Sequence, residues 1–164
     1  LVGHPINKKK VEQDHKVIAL SKIMKLKALP GVERLMITAR DNGIKMALAS
    51  NSSTDWVWCN LSRLGLAKYF DTICGGDEVA ALKPDPEIFQ LALSELNVSP
   101  DEAIVFEDSP NGITAANKAG IFCVAIPNPI SERLSIVHAN LVLNSLEEIS
   151  FEELLAAPER QIER

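Results

Sequence analysis

Three groups of polar residues follow apolar runs in this chain, and their types suit the handling of a charged oxyanion. The adjacent carboxylates Glu107 and Asp108 close the run in "VFEDSPNG". Successive side chains of a strand point to opposite faces, so both can reach one site only where the strand has ended and the backbone turns. Two crowded carboxylates repel unless a cation or a shared proton lies between them. Hard oxygen donors on a short loop suit Mg²⁺, which takes one or two carboxylates, several waters and substrate phosphate oxygens. Capping of the next helix is the other role open to Asp108, but Ser109 already supplies a cap.

Lys83 stands in "ALKPDPEIF", where two prolines stiffen the loop and hold the residue before each extended. A braced ammonium could neutralise a phosphate oxygen; an ordinary surface lysine is the alternative. Ser50-Asn51-Ser52-Ser53 follows "KMALA". A hydroxyl beside the free N–H groups of a helix start forms an anion cradle, and a plain N-cap cluster is the alternative.

These groups need elements to hold them. Val17, Leu20 and Met24 recur at helical spacing, with Ile23 widening the stripe, so residues 10–27 read as an amphipathic helix. "LPGVERLMITARDNG" reads as a second helix, with Pro30 near its first turn and Asn42-Gly43 as its stop. "IKMALAS" reads as a buried strand, "STDWVWCNLSRLGL" as a helix capped by Ser53 or Thr54, and "FDTICGG" as a strand. "DPEIFQLALSELN" is a helix with Asp85 as cap and Pro86 first, "AIVFED" a strand, and "SPNGITAANKAG" a helix capped by Ser109. "IFCVAIP" and "NLVLNS" are strands, and "SFEELLAAP" is a last helix. Strands alternating with helices over short connections imply parallel βαβ units in a doubly wound sheet. Ligands bind beyond the carboxyl ends of such strands, and the three polar groups fall at three of those ends.

At 164 residues, 46% hydrophobic and 24% charged, the chain has the make-up of one globular domain. No apolar run approaches the roughly 20 residues that cross a bilayer, and the start does not resemble a signal peptide. Cys59, Cys74 and Cys123 lack metal-ligand spacing, so a reduced, cytoplasmic setting is expected, with all three packed as small apolar residues. The net charge of -5 is uneven: residues 1–28 hold seven lysines against Glu12 and Asp14. Such a split can mark a nucleic-acid arm. Without interleaved aromatics a solvated helix face is the better reading, so no nucleic-acid and no membrane partner is expected. Trp56 and Trp58, two apart on a helix, cannot both face one core.

"IKMALASNSS", "GGDEVAALKPDPEIFQLAL" and "AIVFEDSPNGITAANKAGIFCVAIPNP" together resemble the haloacid dehalogenase (HAD) superfamily, in the subfamily of phosphoglycolate phosphatases and β-phosphoglucomutases. The resemblance covers residues 29–157. It implies a HAD-like Rossmannoid α/β/α fold and a Mg²⁺-dependent hydrolase acting on a small phosphorylated metabolite. On its motifs, Ser50 and Lys83 are the catalytic and phosphate-binding residues. Asn51 is a substrate- or phosphate-facing position, and Glu107 and Asp108 are the metal ligands.

The family's nucleophile is the first aspartate of an Asp-x-Asp-Gly motif, and no Asp here fits: Asp14 lies in "EQDHKV" and Asp41 precedes Asn-Gly at a helix end. The resemblance therefore implies a sheet missing its first central strand. It divides the chain into a helical cap-domain remnant over residues 1–28 and a core domain over residues 29–164. It further implies an inactive fragment whose gap is filled by an N-terminal fragment or a second copy. A phosphosugar mutase and a non-catalytic binding module are the alternatives.

Overall fold

The computed structural model describes residues 21–128, 131, 134, 136 and 138–162. The expected amphipathic helix over residues 10–27 and the cap remnant over residues 1–28 lie largely outside them; within them, residues 21–23 are helical. The described elements run α1 (Val32–Asp41), β1 (Ala47–Ala49), α2 (Thr54–Leu64), β2 (Thr72–Cys74), α3 (Glu87–Leu96), β3 (Ile104–Glu107), α4 (Pro110–Lys118), β4 (Phe122–Ala125), β5 (Leu141–Val142) and α5 (Phe151–Ile162). The order is the one the apolar periodicity predicts, an α/β fold with parallel strands.

Local chemistry sets the boundaries. Helix α1 stops at Asn42-Gly43 because Gly43 takes φ 72°. That turn lets Ile44 N–H reach Ala39 O at 2.9 Å and Gly43 N–H reach Arg40 O at 3.0 Å. The left-handed conformation there costs a residue with a Cβ strain that glycine avoids. The expected strand over residues 44–50 is consequently short, because Ile44 still belongs to the helix end. The sheet then closes like a zip: Met46 N–H donates to Asp71 Oδ2 at 2.8 Å and Asp71 N–H to Met46 O at 2.8 Å.

All described pairings are parallel: β1 with β2, and β3 with β4 with β5. Among the described residues β1 and β3 pair with nothing on their other edges. Helix α3 packs on β1 and β2, helix α4 on β3 and β4, and the two helices touch. Their inner faces (Ile88, Phe89, Ala92 and Leu93 of α3; Ile113, Ala115 and Ala116 of α4) meet Cys74, Cys123 and Ala125 in one core. Ile88 and Ile113 are fully buried, which stabilises the fold by roughly 1.5–3 kcal/mol for each side chain. A second cluster, Val57, Leu61 and Leu66, seats α2 on the other side of β1 and β2.

Two expectations need correction. Helix α2 is capped by neither Ser53 nor Thr54: Ser53 sits at the N-cap position without a side-chain bond. Asp77 Oδ1 instead accepts from Thr54 N–H at 2.8 Å and from Thr54 Oγ1 at 3.0 Å. A carboxylate from the loop after β2 thus does what a neutral hydroxyl was expected to do, and it suits the positive end of the helix better. Cys59 is exposed, unlike buried Cys74 and Cys123, because it lies on the solvent side of α2. Trp56 and Trp58, expected not to share one core, are both exposed, at 40% and 55%.

Candidate active site

A cavity of about 680 Å³ opens between β1 and β3. Ser50, Asn51, Lys83, Glu107 and Asp108 all border it, with Leu29, Val32, Phe106, Ile126, Leu134 and Leu146 forming an apolar remainder. The three groups picked out at strand ends are therefore brought to one place. Two parallel units deliver them: Ser50 directly follows β1, the loop from β2 to α3 carries Lys83, and β3 ends at Glu107.

Ser50 is fixed by the sheet and by its own loop. Its N–H continues the ladder to Cys74 O at 3.0 Å, and its Oγ accepts from Ser52 N–H at 3.1 Å. With that lone pair used, the hydroxyl proton remains to donate to a ligand oxygen. Asn51 is placed differently from the expectation of a substrate-facing side chain. Its Oδ1 accepts from Lys83 N–H at 3.0 Å and its Nδ2 donates to Lys83 O at 3.3 Å. The carboxamide thus grips the main chain of Lys83.

Lys83 is joined to Pro84 by a cis peptide. Its ammonium is nearly buried and bridges both sheets. Nζ donates to Ala49 O at 3.0 Å at the end of β1 and pairs with Glu107 Oε1 at the end of β3. It also stands 4.4 Å from the centroid of the Phe89 ring, a cation–π contact. An ammonium carries three protons, so two are committed and one is left for an anion.

Glu107 does not stand beside Asp108. It turns towards α4, where its Oε2 accepts from Ser109 Oγ at 3.2 Å and from Asp108 N–H at 3.3 Å. Gly112 makes this possible: a Cβ there would come within 2.0 Å of the Glu107 carboxyl carbon. Ser109 caps α4 as expected, its Oγ accepting from Gly112 N–H at 3.1 Å. Asp108 takes the opposite direction and accepts through Oδ2 from Asn128 Nδ2 at 2.6 Å. The repulsion between the two carboxylates is relieved by separate partners, lysine for one and asparagine for the other.

The field of this cluster reaches the core. Burial, and then the nearby Glu107 charge, push the Cys123 thiol up to about 12 against the opposing pull of Lys83. At the neighbouring helix start, the Thr54 backbone N–H holds the Asp77 carboxyl below its ordinary range.

A divalent cation fits the donors present. Asp108 Oδ1 accepts no hydrogen bond among the described residues, and Asp108 is exposed at the cavity. No cluster of three or more His, Cys, Asp or Glu that could hold a metal occurs among the described residues. A cation held by one or two carboxylates, with the rest of its shell from water and a phosphate, is the arrangement Mg²⁺ favours. Asn128 is the residue missed in the sequence. It stands in "IPNP" just after β4, and the rule that flagged three strand ends would have flagged this fourth.

Known proteins are similar to this chain in sequence and fold. The family model for haloacid dehalogenase-like hydrolases matches residues 4–126. The YhcW protein of Bacillus subtilis is 37% identical over 154 residues, covering 94% of this chain and 70% of that protein. The phosphorylated carbohydrates phosphatase of Thermotoga maritima is 43% identical over 114 residues, covering 70% of this chain and 51% of that protein. A crystal structure of β-phosphoglucomutase from Clostridium difficile superposes with TM-score 0.78 at 32% identity, covering 97% of this chain and 71% of that one. The chain thus spans between about half and 71% of the length of these relatives. It belongs to the haloacid dehalogenase-like hydrolase family.

Proposed function

We propose that the protein is a Mg²⁺-dependent phosphatase of a small phosphomonoester, of the sugar phosphate or phosphoglycolate type. The observation that carries this reading is the convergence of Ser50, Lys83 and Asp108 on one cavity at the carboxyl ends of parallel strands. Phosphoryl transfer asks a protein mainly for positioning and charge neutralisation. Ser50 donates its hydroxyl proton to a phosphoryl oxygen, and the third Lys83 proton offsets charge on another. Asp108 would hold the cation, and Glu107 would contribute its carboxylate directly or through water. When bound, Mg²⁺ neutralises phosphoryl charge and draws nucleophile and phosphorus together.

The covalent half of the reaction needs an aspartate that these residues do not supply. In the proposed scheme a carboxylate from outside the 164 residues attacks phosphorus, and the ester oxygen leaves as the alcohol with a proton from a second, protonated carboxyl group of that outside segment, which takes a proton back from the water of the next step. Water then cleaves the aspartyl-phosphate, returning carboxylate and inorganic phosphate. An N-terminal segment, or a second copy, is proposed to enter between β1 and β3, where neither facing edge has a partner among the described residues. The chain by itself is then expected to show no turnover of p-nitrophenyl phosphate with Mg²⁺. Clear Mg²⁺-dependent hydrolysis by the purified chain would refute that division of labour. Orthophosphate should still bind in calorimetry, about tenfold more weakly after Ser50→Ala.

The similarity to a β-phosphoglucomutase favours a second reading, a phosphosugar mutase. Incubating the protein joined to its nucleophile-bearing segment with β-glucose-1-phosphate separates the two: free phosphate supports the phosphatase, glucose-6-phosphate the mutase.

A further inference from the structure

The structure assigns Asn128 as a positioning and specificity residue that biases Asp108 towards Mg²⁺ and away from Ca²⁺. The inference rests on the reading of Asp108 as a cation ligand. Asn128 Nδ2 donates to Asp108 Oδ2 at 2.6 Å, while Oδ1 accepts nothing among the described residues. One carboxylate oxygen is therefore held by protein, and the other is without a protein donor among the described residues, on a side chain that lines the cavity.

The orientation of the Asn128 amide is not arbitrary. Ser131 N–H donates to Asn128 Oδ1 at 3.1 Å, and Asn128 N–H donates to Ser131 Oγ at 2.9 Å. Ser131 is 5% exposed, so water does not easily replace those partners. An N–H can be answered only by the amide oxygen, which leaves the NH₂ end for Asp108. A buried serine thus sets the amide, the amide sets the carboxylate, and the carboxylate offers a single oxygen.

That distinction separates two cations. Mg²⁺ requires near-ideal octahedral geometry, into which a single carboxylate oxygen fits readily, whereas Ca²⁺ accepts six to eight oxygens and tolerates both oxygens of one carboxylate. A hydrogen bond that occupies Oδ2 opposes the two-oxygen mode. Partners one shell removed from a metal commonly change its affinity by about 10–100-fold.

The test is titration calorimetry of the chain with MgCl₂ and with CaCl₂, reading the ratio of the two dissociation constants. Asn128→Ala frees Oδ2, and Asn128→Asp keeps the oxygen that receives Ser131 N–H but replaces the donor with a further ligand oxygen. Both variants should shift the ratio towards Ca²⁺ by about tenfold. A residue that only supports the fold would weaken both ions together and leave the ratio alone. Should Asn128→Ala lose its circular dichroism, Asn128→Asp carries the test. Ratios within twofold of the parent, with Asp108→Asn abolishing both ions, would overturn the inference and leave Asp108 as a ligand. Binding of neither ion by the parent chain would overturn both.

Discussion

Strand β4 and the strands β1 and β3 are similarly apolar, yet only β4 is shut away from solvent. β4 has a parallel neighbour on each edge, and Cys123, Val124 and Ala125 are 0% exposed. β1 reads Ala-Leu-Ala and β3 Ile-Val-Phe-Glu, but each has one described neighbour; their residues are half-buried, and Phe106 is 37% exposed. Parallel strands are normally covered on both faces. The difference teaches that burial here follows pairing on both edges rather than composition. The place where pairing stops is also where the polar groups gather, so the site and the gap are one feature.

The largest effect is expected at the bridge between the two open strands. Lys83 and Glu107 are each 9% exposed and tie the end of β1 to the end of β3. Removing one partner of such a pair strands a charge, which costs about 3 kcal/mol. Lys83→Met should therefore lower Tm by roughly 6–12 °C. The double variant Lys83→Met with Glu107→Gln should recover part of that loss, since no buried charge is left alone. A single variant within 1–2 °C of the parent would mean the two strands are not tied there.

A smaller effect separates paired from open strands directly. Val124→Ala removes two methyl-sized groups from a fully enclosed position and should cost about 2 kcal/mol. Leu48→Ala removes more carbon from β1, but from a half-buried position, and should cost no more than about 1 kcal/mol. Urea unfolding at equal protein concentration measures both. Equal losses would show that β1 is as enclosed as β4, with the gap already filled. Cysteine chemistry gives a gentler probe of the same contrast. With its thiol at about 12, Cys123 beneath the site should resist iodoacetamide at pH 8 while exposed Cys59 is alkylated. Peptide mass spectrometry reads the two sites, and rapid labelling of Cys123 would show that β4 opens.

The order of elements was legible because periodicity reports which side chains are apolar, and the strand-end rule was enough to single out Ser50, Lys83, Glu107 and Asp108, which the fold brings to one cavity. Their partnerships were not legible. Glu107 meets Lys83 across 24 positions, Asn51 grips Lys83 across 32, and Asn128 reaches Asp108 across 20. Nothing local encodes those contacts; they exist because separate βαβ units bring their carboxyl ends side by side. The steric need for Gly112 is of the same kind, since "PNG" reads as an ordinary helix start until the Glu107 carboxylate is laid against it.

The smallest effect concerns how each unit starts the helix that follows its site strand. α4 is capped from within its own segment by Ser109, whereas α2 relies on Asp77 from the loop beyond β2. A neutral hydroxyl cap is insensitive to acid; a carboxylate cap is not. The Thr54 backbone N–H lowers the Asp77 pKa from its ordinary value of 3.8. A group with a depressed folded-state pKa stabilises the fold above its unfolded value and loses that contribution as pH falls through the folded value. The stabilisation from Asp77 is therefore whole at neutral pH and fades only below about pH 4. Asp77→Asn keeps an oxygen for Thr54 N–H and removes the charge, so its Tm should lie slightly below the parent at pH 7, by less than the Leu48→Ala loss. The two curves should converge as pH drops below 4. A gap between Asp77→Asn and parent that widens towards acid would mean the carboxylate is not held by the helix start, and α2 would then need another explanation for where it begins.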